Sequence, residues 1–236
     1  MPLDHAPPAL TDLMALVYAD YVALMRSART AEREDLGGKL LYAGKLDNSG
    51  RAMTIAGNIA AAATLAATAD QAGSRQAMRD GAVDFVVTTL DEALRILKNQ
   101  VRKREPVSVC VGAAPDDMER EMLERGVEPD LLPAADCAPS SSLAKFIALG
   151  ARRIEPQPIP TGQTLFTFEI PLNLTRDSAR IEGILAASIA ENDLVNRRWL
   201  RLSPRYLGPN ARRVRSVVCH ADSVRELSDQ LAQLSS

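Results

Sequence analysis

An α/β fold, with a mostly parallel sheet and helices on both faces, is predicted for this chain by three observations. Short apolar runs ending in glycine alternate with helical patterns along most of its length. The first of these runs is followed at once by a turn and an alanine-rich helical stretch. The run 107–112, Val-Ser-Val-Cys-Val-Gly, is β-branched and compact, as a buried strand requires. Such alternation builds crossover units, and crossover units bury a parallel sheet between helical layers.

Residues 1–34 read as an N-terminal arm and helix. Pro2, Pro7 and Pro8 mark a loose start, and Thr11 or Asp12 caps a helix reaching about residue 29, with Leu13, Leu16, Val17, Val22 and Leu24 as its apolar positions. A charged connector ends in Gly37-Gly38, and residues 35–236 are expected to form a single compact domain. In it, 39–44 is a buried strand ending in Gly44, 45–50 a turn and 51–63 a helix whose alanines allow close approach to the sheet. A weaker strand follows at 64–68 and a short helix at 72–79. Residues 89–102 form an amphipathic helix with Leu90, Ala93, Leu94 and Leu97 on one face. After the strand 107–112, Pro115 opens a helix over 116–125 with acids in its first turn, and Gly126 stops it. A short strand (130–132), a small-residue loop (134–142) and a short helix (143–149) come next. A link through Pro156, Pro158 and Pro160 leads to an extended apolar piece (165–172) and a helix at about 178–190. A last strand (213–219) and a closing amphipathic helix (222–234) complete the chain.

Composition narrows the classes of function. With 236 residues the chain can bury a working core. Its 28 basic and 30 acidic residues leave a formal net charge of -2, which argues against a nucleic-acid binder relying on an overall positive field. Trp199 is the single tryptophan, so a stacking platform for bases is poorly supplied. No basic segment followed by an apolar run opens the chain, and the nearest approach to a membrane span, 55–69, is short and contains Asn58. Cys110, Cys137 and Cys219 stand far apart, which fits a reducing cytoplasm. A cytoplasmic location without membrane or nucleic-acid partners is therefore expected. His5 and His220 offer no metal-ligand spacing, and no metal site is expected.

From Gly38-Lys39 through Leu46, Gly50, Ala52, Ala56 and Leu65, then Val83-Asp84, Leu90-Asp91-x-Ala93-Leu94 and Arg125-Gly126-Val127-x-Pro129-Asp130, the chain resembles urocanase (urocanate hydratase), in that family's NAD-binding domain. Upstream, Asp35-Leu36 fits the same entry. Downstream, Arg198-Trp199-Leu200 and Gly208-Pro209-Asn210-Ala211-Arg212 are similar to further family segments. The resemblance implies a Rossmann-like domain, a tendency to form homodimers, and descent from an enzyme that uses tightly held NAD as an electrophile to add water to urocanate. The family's N-terminal and C-terminal substrate-binding parts have no matching segment here, so a partner chain supplying them is one expectation.

The same resemblance locates the residues that would bind a cofactor: Gly44, Asn48, Ser49, Gly50, Arg51, Thr68 and Gly112. The family's phosphate turn, Gly-Leu-Gly-Gly-Met-Gly-Gly-Ala-Gln, stands against Lys45-Leu46-Asp47-Asn48-Ser49-Gly50-Arg51-Ala52-Met53, which keeps one glycine of five. A Cβ at such a position blocks a diphosphate from backbone amides and from the helix start. Thr68 stands where the family has the acid that holds the adenosine ribose, and Ala113-Ala114 replaces a Gly-Asn pair. The family's Thr-Asp-Gln-Thr-Ser-Ala-His-Asp segment near the active site stands against 133–140, where only the alanine persists. NAD or NADP is thus expected to meet a weakened site, and no catalytic residue is assigned.

Other constellations have plain structural readings beside the chemical ones. The turn 45–51 is either a remodelled phosphate site or a polar turn capped by Asn48 or Ser49. Cys219, His220 and Asp222 could suggest a nucleophile, base and orienter, but neighbours on a strand point to opposite faces. Cys137 beside Asp136 is the thiol placed nearest the old active-site loop, and the carboxylate should raise its pKa. The basic cluster Arg197, Arg198, Arg201, Arg205, Arg212, Arg213 and Arg215 could contact an acidic partner or form an ion-paired face. The leading expectation is a urocanase-like domain that has lost hydratase activity and serves as a ligand-binding or protein-interaction module. The alternatives are an NAD(P)-dependent or nucleotide-binding enzyme, such as one subunit of a split urocanase-type hydro-lyase, and a scaffolding dimer.

Overall fold

The computed structural model describes residues 8–28, 35–134, 141–155, 158–171, 174, 178–208 and 213–234. The chain divides into two compact units: residues 19–157, and residues 1–18 with 158–236.

The first unit carries α1 (Pro8–Ala28) from Ala19 onward, then β1 (Leu40–Lys45), α2 (Asn48–Ile59), β2 (Ala63–Ala67), α3 (Gln71–Arg79), β3 (Phe85–Val87) and α4 (Leu90–Lys103). It continues with β4 (Val107–Val111), α5 (Pro115–Glu124), β5 (Leu131–Leu132), α6 (Ser141–Ala148) and β6 (Arg152–Arg153). These strands form one parallel sheet in the order β3-β4-β2-β1-β5-β6. With β3 set aside, this is the doubly wound order, reversing direction between β1 and β5, and such folds place ligands outside the carboxyl ends of the strands near that reversal. Strand β3 adds an outer edge that the sequence pattern did not announce, because its three residues are too few to show a period.

Both faces of the sheet are covered. On one, Leu65, Ala67, Val107, Val109 and Val111 pack with Leu90, Leu94 and Leu97 of α4, Met118 and Met122 of α5 and Phe146 of α6. On the other, α2 lies close. A Cβ at Gly57 would stand 2.5 Å from Thr64 Oγ1 and 3.0 Å from Leu41 Cδ2. Beneath α2, the Asn58 amide donates to Ser108 Oγ at 3.0 Å, and Ser108 N and Oγ both donate to Asp84 Oδ2.

Several of the residues that carry the family resemblance tie elements of this unit together. Lys39 Nζ meets Asp130 Oδ1 at 2.6 Å while Leu40 N donates to Asp130 Oδ2 at 2.9 Å, which ties the start of β1 to that of β5. Arg125 joins Asp91 of α4 and, at 3.0 Å, Glu121 of α5. Gly126 then turns the chain at φ 63°. Helix α4 opens on a capping box, with Thr89 Oγ1 accepting from Glu92 N.

The second unit has its own core. Strands β7 (Gln163–Glu169) and β8 (Val214–His220) pair antiparallel as a separate two-stranded sheet. With them go α7 (Ser178–Ala187), α8 (Leu194–Tyr206) and α9 (Val224–Gln233). Phe166, Phe168, Ile181, Leu185, Val217 and Leu227 lie in one buried cluster. Trp199 is fully buried, its Nε1 donating to Ser216 Oγ at 3.0 Å and its ring meeting Tyr18 edge-on with centroids 5.1 Å apart. Helix α1 starts at Pro8, before the expected caps Thr11 and Asp12. Proline suits a first helical turn, where its missing N–H would bond to nothing. No helix among the described residues is long and apolar enough to cross a membrane.

Asp20 of α1 is 4% exposed, and burial pushes its carboxyl up to about 7. The folded state therefore keeps a proton that the unfolded chain loses above about pH 4, so stability falls as pH rises from about 4 to about 7 and stays reduced above. The full difference is on the order of 4 kcal/mol. Asp20→Asn should raise the midpoint of thermal unfolding at pH 8, with the gain shrinking toward pH 4; melts across that range check it.

Candidate functional site

The carboxyl ends of β1 and β2 border an open cleft of about 720 Å³, lined by Lys45, Leu46, Asp47, Asn48, Ser49, Arg51, Thr68, Asp70 and Gly73. Four residues expected at a cofactor site meet here: Asn48, Ser49, Arg51 and Thr68. The other three lie off its walls, each with a backbone role.

Gly44 adopts φ 73° at the register shift between Tyr42 and Gly44, a conformation in which glycine is unstrained. Gly112 N donates to Val87 O at 2.9 Å, which joins the ends of β4 and β3. Gly50 is buried beneath the cleft, where a Cβ would stand 1.9 Å from the Lys45 carbonyl oxygen. The one glycine kept from the family's turn is thus required for packing α2 onto β1, whatever the cleft holds.

At the mouth, helix α2 begins one turn earlier than its sequence pattern suggests, and Asp47 is its N-cap in place of Asn48 or Ser49. Asp47 Oδ1 accepts from Ser49 N at 3.1 Å and Gly50 N at 3.2 Å. Those are the amides that a bound phosphate would claim at a helix start. A second carboxylate repeats the arrangement, with Asp70 Oδ1 accepting from Ala72 N and Gly73 N, both at 3.0 Å, at the start of α3. Asp70 was not singled out in the sequence. Its position between a strand and a helical run, two residues past Thr68, is the N-cap signal that marks it.

Arg51 is likewise engaged within the protein. Its Nη1 lies 3.3 Å from Asp80 Oδ2, and its Nη2 donates to Gly73 O at 3.0 Å. Thr68 is 6% exposed, and its Oγ1 accepts from Asp70 N at 3.2 Å. The cleft therefore presents two carboxylates, each accepting from two amides at a helix start, the exposed Lys45, and a guanidinium that neutralises a third carboxylate.

The remaining sequence candidates fall elsewhere. Cys219 is buried, and burial raises its thiol pKa, the opposite of activation. His220 Nδ1 lies 3.2 Å from Asp222 Oδ2, an exposed pair at the end of β8. Cys137 and His5 lie outside the described residues. Of the arginine cluster, Arg213 meets Glu169 at 2.5 Å and Arg215 meets Glu182 at 2.9 Å. Arg197 donates to Ile189 O and Ala190 O. These three brace their own unit. Among the described residues, no group of three His, Cys, Asp or Glu side chains could hold a metal ion.

A doubly wound parallel sheet with its cleft beside the β1–α2 turn defines a Rossmann-like domain. The model of the urocanase Rossmann-like domain matches residues 16–139, from within α1 past β5. The chain belongs to the urocanase family through this domain.

NAD, the cofactor implied by the resemblance to the family's NAD-binding domain, does not fit the residues of the cleft as that fold ordinarily holds it. A diphosphate would have to displace the Asp47 carboxylate from Ser49 N and Gly50 N, and would face Asp70 across the same cleft. Gly50→Ala should cost about 3 kcal/mol of stability through the clash with the Lys45 carbonyl. Urea unfolding midpoints of the two proteins, both without ligand, would measure it.

Proposed function

We propose that this chain is a urocanase-type Rossmann domain that does not hydrate urocanate and serves as a binding or interaction module. The observation that carries this reading is the Asp47 carboxylate on Ser49 N and Gly50 N. A helix start attracts an anion because its first amides and dipole are unspent. Here a side chain of the protein spends them. Asp70 does the same at α3, and Arg51 is held by Asp80 and the Gly73 carbonyl. A dinucleotide approaching this cleft meets negative charge where the fold ordinarily offers bare amides. Without NAD as electrophile, urocanate would not be activated toward addition of water, and loss of a preorganised catalytic group costs orders of magnitude in rate.

The direct test is isothermal titration of the purified chain with NAD and with NADP, alongside an assay of urocanate consumption. The expected result is no saturable binding at millimolar nucleotide and no turnover. Tight one-to-one NAD binding would overturn the reading and favour the nucleotide-binding enzyme instead. A companion variant, Asp47→Gly, frees both amides and should bind inorganic pyrophosphate at least tenfold more tightly than the parent, on the general affinity of helix starts for anions; titration of both proteins decides it.

A further inference from the structure

The sheet of the second unit stops after two strands, and its hydrogen bonds decide which main-chain groups are left over. Ile170 N donates to Arg213 O at 2.7 Å, and Ala221 N donates to Gly162 O at 2.9 Å. Both bonds extend, at either end, the unbroken register that sets Gln163 against His220 and Glu169 against Val214. In an antiparallel ladder, hydrogen-bonded pairs alternate with pairs whose N–H and C=O groups point away. Thr164, Phe166 and Phe168 therefore face β8, while Gln163, Leu165, Thr167 and Glu169 turn their main chain outward. Gln163 N is taken by Pro160 O at 3.0 Å. The N–H groups of Leu165, Thr167 and Glu169 have no partner among the described residues.

The two borders of this sheet differ. On β8 the outward-turned residues Val214, Ser216 and Val218 are 1%, 0% and 7% exposed, so that border is closed. On β7, Leu165, Thr167 and Glu169 are each partly exposed. Natural sheets blunt an open border with brevity, proline, lysine or a bulge. Strand β7 has seven residues, none of them proline or lysine, and its register has no shift. Its single charge, Glu169, is met by Arg213 at 2.5 Å.

We propose that β7 pairs antiparallel with β7 of a second copy about a two-fold axis at Phe166, joining two sheets of two strands into one of four. Only registers that oppose odd-numbered residues bring outward groups together, and the one centred on Phe166 engages the whole strand. Leu165 then lies opposite Thr167 of the second copy, and Gln163 opposite Glu169, so an exposed amide faces a carboxylate and no like charges meet. Each copy donates from Leu165, Thr167 and Glu169. The two-fold pair uses the open border of both copies and leaves none for further growth. Stable interfaces enlist roughly 20–30 residues a side, far more than one strand, so the pair dissociates on dilution into the micromolar range. No residue of the cleft takes part, and the nucleotide titrations have no bearing on it.

Sedimentation of the full chain from micromolar to near-millimolar concentration, with amide hydrogen exchange at both extremes, tests the pairing. A monomer–dimer equilibrium is expected, with exchange at Leu165, Thr167 and Glu169 slowed at least tenfold at the high concentration. Thr167→Pro removes an N–H that β8 does not use, a place where an edge strand accepts proline, and should weaken association at least tenfold at an unchanged melting temperature. Should that variant fail to fold, Gln163→Glu, an exposed change that sets two carboxylates opposite each other, should weaken association at least twofold. A monomer at every concentration, a dimer that leaves the three amides exchanging freely, or undiminished association of the folded variant would each overturn the assignment.

Discussion

The seat of α2 on the sheet is the constraint from which the rest of the first unit follows. At Gly50 the helix backbone comes so near the Lys45 carbonyl that no side-chain carbon fits, and at Gly57 it comes nearly as close to Thr64 and Leu41. Two glycines at these points let the helix lie flat on strands β1 and β2, whose middle residues are buried. That seat in turn determines which amides open at the start of α2 and brings Asp47 over them. The close approach that serves a dinucleotide in this fold is kept, while the polar end of the same helix is closed from within.

Family likeness is carried by packing and pairing residues, Leu46 and Gly50 beside the cleft among them. Lys39 with Asp130, and Asp91 with Arg125, are residues that carry the resemblance, and they satisfy one another. The departures, Asp47, Asn48, Ser49 and Thr68, gather at the carboxyl ends, around the cleft. The first set acts on the position of helices relative to strands and can be kept by selection for folding alone. The second set faces what a ligand would touch. A single domain can therefore remain a faithful member of its fold family while residues lining its cleft differ from the family's turn.

Much of the parallel sheet was legible in the sequence because its elements are long enough to show a period. Strand 107–112, helix 89–102 and the stop at Gly126 all stand where pattern and capping rules place them. What escaped were elements whose definition lies in their partners. Strand β3 has three residues and β6 has two, so hydrogen bonding to neighbours makes them strands. The segments 165–172 and 213–219 read as extended, but nothing local says that they pair with each other in a sheet of their own. At the cleft, the positions of Asn48, Ser49, Arg51 and Thr68 could be read from the chain. Whether Asp47 would face a ligand or its own helix could not, since both readings use the same carboxylate. The early start of α2 decides between them.

Both outer strands of the parallel sheet are short, three residues at β3 and two at β6. A strand edge invites pairing with another chain in proportion to the run of unpaired backbone it exposes, and brevity is one of the ways natural sheets discourage it. Phe85, 47% exposed on β3, is the one large apolar side chain on either border of this sheet among the described residues. Concentration of this protein should accordingly favour contacts between helical surfaces over the growth of ribbon-like polymers, and substitutions that lengthen β3 would erode that protection.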